Sequence, residues 1–411
     1  MKLKSCFLFM CMMPIMLACS GNDDPVDQPK TPIVPDATLA LSVGATDGVK
    51  ANDGTENTGG DGTIRSLTAF VFNNDESGAY TENGYGIGEV VYTVTANITD
   101  PGATATLSGI GLASDKVQIF LVANLTDKQI DELKSYTNIY DIVGFVTELQ
   151  DEVNYTTEGG RGLTMSKEID FDLQPGDNNI VVELDRIVSR VELNSLSLTS
   201  SSEYTSVSFV PKEVFLTNVK SLAHLGGSEA VGSDTPDDSY LTGDIAANKN
   251  DNSFADGEYK TGAEKYVDSL NVSISGLTLE VGKTVTSEDL AEKGNKYFYV
   301  YPNQNGETNN TSKKNYTLLV VKGDYTHQVD GVNRTEIDRY YMVVVNDDRF
   351  NAGGGEGVDN SHIKRNTKYW IDLTIAGSGS DKPYDPAAFA HVSAKFHVTD
   401  WTVKYIQGTV E

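Results

Sequence analysis

All three cysteines of this 411-residue chain, Cys6, Cys11 and Cys19, fall within its first nineteen residues. Whatever folds after them has no disulfide within the chain. It must be held by apolar burial, which at this length requires large cores and favours two domains. The N-terminus accounts for the clustering: Met1-Lys2-Leu3-Lys4 precedes an apolar stretch from Cys6 to Leu17 and then Ala18-Cys19, a charged region, a hydrophobic region and a cleavage site in order. The stretch is too short to span a bilayer. Ala18 before Cys19 and the polar Ser20-Gly21-Asn22-Asp23-Asp24 after it have the layout of a lipoprotein box, with Met16 where Leu is usual. Residues 1–18 are therefore expected to be a leader and Cys19 to carry diacylglycerol; ordinary secretory cleavage nearby is the alternative.

Charge narrows the partners. Lysine and arginine number 32 against 59 aspartates and glutamates, a net −27, and −29 once Lys2 and Lys4 leave with the leader. A phosphate backbone would be repelled, so nucleic acid is not an expected partner, and solubility at a cell surface explains the acidity.

Behind Cys19, residues 19–36 carry Pro25, Pro29, Pro32 and Pro35 among polar residues and read as a semi-extended tether. Thr38 to Val43 then alternates, with Leu39, Leu41 and Val43 on one face, the period of a half-buried strand. Residues 44–63 hold six glycines and predict an exposed loop. Strand-rich runs follow at 64–72, 90–94 and 117–123, and Ile180 to Leu184 closes this first unit. One helix is predicted from Asp127 to Ile142, capped by Asp127, with Ile130, Leu133, Tyr136 and Ile139 at helical spacing. A second series of strands runs from 187 through 216, pauses over a polar stretch of 225–268 expected to be loops with little core, and resumes at 297–301, 316–321, 340–345, 369–375 and 392–398. Short strands separated by turns predict sandwiches and not a βαβ sheet. The expected fold class is all-β, with domains at 37–185 and 186–411.

Catalytic constellations are thin. His224, His327, His362, His391 and His397 share no ligand spacing, and His391 and His397, placed on one expected strand, would lie roughly 20 Å apart. Gly159-Gly160 and Gly353-Gly354-Gly355 lack the lysine and helix start of a phosphate loop. The acidic runs Asp234 to Asp238 and Asn346-Asp347-Asp348 lack an EF-hand register and read as solvated loops. No cofactor and no metal site are expected. The last residues, Trp401 to Glu411, keep strand character to the end; they are either the last strand of their own domain or a strand offered to another subunit.

Several motifs now line up in order: Arg65-Ser66-Leu67-Thr68-Ala69-Phe70-Val71-Phe72-Asn73, Val122-Ala123-Asn124, Leu163-Thr164-Met165, Arg186-Ile187-Val188-Ser189-Arg190-Val191, Phe209-Val210-Pro211 and Tyr240-Leu241-Thr242-Gly243. They continue with Ile363-Lys364-Arg365-Asn366-Thr367-Lys368-Tyr369, Leu373-Thr374-Ile375-Ala376-Gly377-Ser378-Gly379 and Asp400-Trp401. The series resembles the Bacteroidales major fimbrillin family, the type V pilins, along nearly the whole chain. The resemblance implies two transthyretin-like sandwiches, export as a lipoprotein to the outer membrane, and trimming by a trypsin-like protease in the loop after the first strand. The groove so opened is filled by a C-terminal strand of the next subunit. Carried over, Leu39, Leu41 and Val43 belong to the removable strand, and Trp401, Val403, Tyr405, Ile406 and Val410 to the donor. The family usually cuts after Arg, but none lies between Cys19 and Arg65; Lys50 is the available basic residue, so the expected cut is Lys50/Ala51. Partners would be other copies, accessory pilins and, before trimming, outer-membrane lipid, in an extracellular fimbria serving adhesion and biofilm formation. A tip or accessory pilin, or a non-polymeric glycan-binding lipoprotein using Tyr80, Tyr85 or Trp370 as sugar platforms, is the alternative. An enzyme is not expected.

Overall fold

The computed structural model describes residues 30–44, 61–102, 104–154, 162–199, 204–226, 240–245, 264–291, 297–303, 316–347, 363–382 and 385–401. Strands form where short apolar runs alternate. The first group is β1 (Ala37–Gly44), β2 (Ile64–Asn73), β3 (Val90–Gly102), β4 (Thr104–Leu112), β5 (Lys116–Ala123), the short β6 (Val146–Glu148), β7 (Met165–Asp172), β8 (Gly176–Glu183) and β9 (Asp185–Arg186). One sheet has the order β3-β2-β5-β7-β9 and a second, three-stranded sheet has the order β4-β1-β8. Between them Leu39, Leu41 and Val43 of β1 meet Leu67, Ala69 and Val71 of β2. The opposite face of β2 is covered as well, since Phe70 and Phe72 join Phe120, Ile130, Leu133 and Ile142 in a separate apolar layer. Burial on both faces is why β2 reads as an almost unbroken apolar run.

The single helix predicted over 127–142 is two. α1 (Asp127–Leu133) is capped by Thr126, not Asp127: the Thr126 hydroxyl accepts from Gln129 N while the Gln129 side chain accepts from Thr126 N. α2 (Ile139–Val143) starts afresh at Asn138, whose side chain accepts from Asp141 N. Periodicity did not register that the backbone at Asn138 is extended, with Val90 N donating to Thr137 O at 2.8 Å and Ile139 N to Gly88 O at 2.8 Å. An Asn in that position caps a helix better than it continues one.

The second group is β10 (Ser189–Leu198), β11 (Thr205–Thr217), β12 (Val219–Lys220), β13 (Leu222–His224), β14 (Tyr240–Thr242), β15 (Glu264–Tyr266), β16 (Asn271–Ser273), β17 (Leu279–Glu280), β18 (Thr284–Thr286), β19 (Tyr297–Val300), β20 (Leu318–Val329), β21 (Val332–Val344), β22 (Thr367–Ile375) and β23 (Val392–Asp400). The sheets β18-β10-β22-β23 and β16-β11-β20-β21, with β19 added to β10 and β17 to β11, enclose the larger core. The chain is therefore all-β with few short helices, as two sandwiches.

Three local expectations are corrected. The polar stretch 225–268 does contribute to cores: Leu225 is fully buried in the layer under the helices, and β14 is buried between β12 and β15. Asn346 and Asp347 are buried and not solvated. His391 ends a short 3-10 turn, Pro386–His391, instead of sharing a strand with His397. Gly159-Gly160, Gly353 to Gly355 and Asp234 to Asp238 lie outside the described residues.

The sandwiches are joined by polar clasps. β13 pairs with β6, and the hydroxyls of Tyr301 and Thr147 meet at 2.7 Å across the junction. Arg365, just before β22, donates to Ser166 Oγ at 2.9 Å, Asp185 O at 3.1 Å and Leu225 O at 3.2 Å, all on the side of the first sandwich. Enclosure pushes its guanidinium down to about 10, so it stays charged at neutral pH. Removing a buried donor orphans its acceptors at about 1–3 kcal/mol each. Arg365→Ala should therefore lower stability in urea unfolding by about 3 kcal/mol, and Arg365→Lys should recover only part, because a point charge cannot reach all three acceptors. A loss below about 1 kcal/mol would show that the clasp contributes little.

Candidate strand-exchange site

β1 is the central strand of its sheet. It runs antiparallel to β4, with Leu39 opposite Ile110, Leu41 opposite Leu107 and Val43 opposite Ala105, and parallel to β8, with Leu41 opposite Ile180 and Val43 opposite Val182. Neither neighbour precedes or follows it directly in sequence. Its inward side chains Leu39, Leu41 and Val43 are fully buried, whereas Thr38, Ala40 and Ser42 face outward. The sequence contains no charge from Ala37 to Gly44, which suits a strand buried on one face.

The entry to β1 is pinned by Asp36. Its carboxylate accepts from Ser114 N at 2.5 Å and Ser114 Oγ at 2.6 Å, its own N donates to Leu112 O at 3.1 Å, and its carbonyl accepts from Gly176 N at 2.9 Å. Both flanking strands are thus tied to one residue. Within the residues read as a tether, Thr31 N donates to Asn83 O at 3.2 Å and Lys30 pairs with Glu89.

Trp401, where the expected donor begins, packs in its own sandwich in the single chain. It is 5% exposed and belongs to the core of its own sandwich. Its N donates to Asn366 O at 2.6 Å, its O accepts from Arg186 Nη1 at 2.8 Å, and its ring stacks on Tyr299 at 6.0 Å. A large aromatic held by these contacts anchors the end of β23. Val403, Tyr405, Ile406 and Val410 lie outside the described residues, as do Cys19, Lys50 and Ala51.

Around Trp401 lies a cluster that sequence reading missed. Asp61, Arg186, Arg190 and Glu192 are each almost completely buried. Arg190 sits 2.8 Å from Glu192 and 3.6 Å from Asp61, and the Tyr299 hydroxyl donates to Asp61. Burial raises the Asp61 carboxyl above its ordinary range, opposed by Tyr299 and the two arginines. The available signal was the placing of Arg186, Arg190 and Glu192 at even positions within an apolar strand run, one face of which must then bury charge.

The sugar-platform residues are poorly placed for that task. Tyr80 is buried, its hydroxyl accepting from Ala113 N at 3.0 Å. Trp370 is half-buried, with the Lys368 ammonium 5.9 Å from its ring centroid. No group of three or more potential metal ligands occurs among the described residues.

Two sandwiches, a central strand joined to the rest through a single loop, and an anchored final strand define a pilin-like subunit. A family model described as "Major fimbrial subunit protein (FimA)" matches residues 37–181, and one described as "FimA4 pilin C-terminal domain" matches residues 295–401, together more than half of the chain. Major fimbrium subunit FimA type-3 of Porphyromonas gingivalis is 26% identical over 238 residues, 53% of this chain and 55% of that protein. A type-2 subunit from the same organism is 25% identical over 242 residues, with the same shares. The chain spans about half the length of the curated relatives it matches. A solved structure from Parabacteroides distasonis, provisionally assigned to cell adhesion, is 25% identical, with a TM-score of 0.64 over 90% of this chain and 100% of that one. A fimbrilin from Porphyromonas gingivalis W83, at 18% identity, shares the fold, with a TM-score of 0.61 over 90% and 99%. The chain belongs to the major fimbrial subunit family of the Bacteroidales.

Ser114, by side chain and then backbone, holds the Asp36 carboxyl below its ordinary value of 3.8. A carboxylate lowered by folding adds stability above its unfolded value and loses it as pH falls through the lower folded one. Asp36→Asn should therefore destabilise the protein at neutral pH, with the difference from wild type shrinking as pH falls below about 4. Denaturant midpoints across that range report it; an equal difference at both ends would show that the charge plays no part.

Proposed function

We propose that this chain is a structural subunit of a surface fimbria that polymerises by strand exchange. The precursor is exported as a lipoprotein through Cys19, cut between Lys50 and Ala51 to release β1, and joined to other copies and accessory pilins by a segment following Trp401. It carries no catalytic function and serves adhesion and biofilm formation.

The observation that carries this is the central position of β1. Loss of an edge strand exposes one row of backbone groups, but loss of a central strand exposes two, on β4 and β8, besides the pockets of Leu39, Leu41 and Val43. Each of those side chains is worth roughly 1.5–3 kcal/mol when buried. An incoming strand therefore repairs a large defect, and because it is part of another folded subunit, repetition gives an open head-to-tail fibre.

Deleting Val403 to Glu411 should leave a folded, secreted and cleavable monomer that cannot extend a fibre. Filaments of normal length from that truncation, seen by electron microscopy, would show that the donor is another strand. N-terminal sequencing of assembled subunits should read Ala51-Asn52-Asp53, and a start at Ser66 or Cys19 would contradict the assigned cut.

A further inference from the structure

We propose that residues 332–337 of β21 form an edge that pairs, antiparallel and about a two-fold axis, with the same residues of a second copy of this chain. The contact is lateral and does not rest on the strand-exchange reading, since it uses neither β1 nor the end of the chain. β21 is the last strand of the sheet β16-β11-β20-β21. On one side it is zipped to β20, from Val332 opposite Val329 to Glu336 opposite Tyr325. On its other side the described residues cover only its C-terminal half, where Tyr340 bridges Ser380 and Arg339 donates to Ser378 O and Gly379 O, both at 2.8 Å. Along residues 332–337 no described strand stands beside that second row of N–H and C=O groups.

Open edges are commonly blunted with lysine or proline. From Val332 to Val344 there is neither. Val332 and Ile337, at the two ends of the open segment, are instead 61% and 67% exposed. The segment is also held in strand conformation from behind, with the hydroxyls of Thr326 and Thr335 meeting at 2.9 Å across the hairpin. An incoming strand therefore meets a preformed edge and two apolar side chains that it can cover.

The charge pattern selects the occupant. With Thr335 on the two-fold axis, Arg334 of each copy faces Glu336 of the other, and two ion pairs cross the seam. A shift of two residues either way sets Arg334 against Arg334 or Glu336 against Glu336, and like charges directly opposite disfavour pairing. One register is thus favoured. Arg334 is exposed and its side chain has no hydrogen bond or ion pair with a described residue. The Glu336 carboxylate lies 3.4 Å from Arg339 Nε and 3.8 Å from His327 Nδ1, yet keeps a third of its side chain exposed. Residues 332–339 carry Arg334 and Arg339 against Glu336 and Asp338, so a neutral segment stands on a chain of net −27. A partner of a single charge sign would meet its own sign at Arg334 or at Glu336, whereas a second copy meets the opposite sign at both. On the proposed function, such pairing would tie neighbouring fibres side by side, while strand exchange extends each one.

The full chain carrying Cys19→Ala, so that no lipid is attached, and verified as uncut by mass spectrometry, tests the edge by sedimentation equilibrium. Salt of about 0.15 M screens the net charge of the two bodies. A seam this short should give weak, reversible dimers with a Kd of about 100 μM. Arg334→Glu and Glu336→Arg, added separately, should each weaken self-association about tenfold or more, because each turns both ion pairs into like-charge pairs. Mixed in equal amounts, the two variants should associate with each other as tightly as wild type does. One chain is then acidic at both positions and the other basic at both, so every pair across the seam is again of opposite sign. Mixing would not cure a folding defect, so recovery is specific to the seam. A wild-type chain that stays monomeric at about 0.5 mM overturns the proposal. So do single variants that associate as wild type does, or a mixture no stronger than its components.

Discussion

The fold depends on a strand that no covalent hairpin holds in place. β1 completes a sheet between β4 and β8, and only the backbone ladders, three buried side chains and the Asp36 anchor keep it there. The lack of cysteine after position 19 follows the same logic, since a disulfide from β1 to either neighbour would make the strand permanent. Stability is drawn instead from the two sandwich cores, both assembled from long, mostly antiparallel strands.

Charge is unevenly distributed along the chain. The chain carries −27, yet β1 is uncharged, and in residues 402–411 Lys404 and Glu411 cancel. On the proposed strand-exchange reading, an entering strand adds no net charge to an already acidic body. Repulsion between acidic surfaces is screened within about 8 Å at physiological ionic strength, whereas the strand contact is short-range and apolar.

Much of this was legible in the sequence, because period-two alternation is a local property. The inward face of β1 and the positions of β2, β5, β22 and β23 follow from it directly. The break between α1 and α2 was not legible, because Thr137 and Asn138 are fixed by pairing with residues 88–90, a contact outside the helix itself. Nor was the place of Trp401. Arg186 and Tyr299, more than a hundred residues away in sequence, hold it in its own sandwich. The lone basic residues of the 186–192 run were visible as anomalies, while their partner Asp61 sits at the end of a glycine-rich loop that local patterning assigns to the surface.

The junction built from those residues is unusual as a stabilising device. Buried ion clusters seldom stabilise more than apolar side chains of the same volume, because desolvation consumes most of the attraction. What they do provide is intolerance of partial assembly: with every member in place the charges are matched, and with one removed the remainder is strongly disfavoured. Asp61, Arg186, Arg190 and Tyr299 have this character, and they stand where the loop after β1, the start of the second sandwich and the end of β23 converge. An apolar plug there would tolerate the loss of one member. A charged one makes the junction depend on Asp61 staying beside Arg190 and Tyr299.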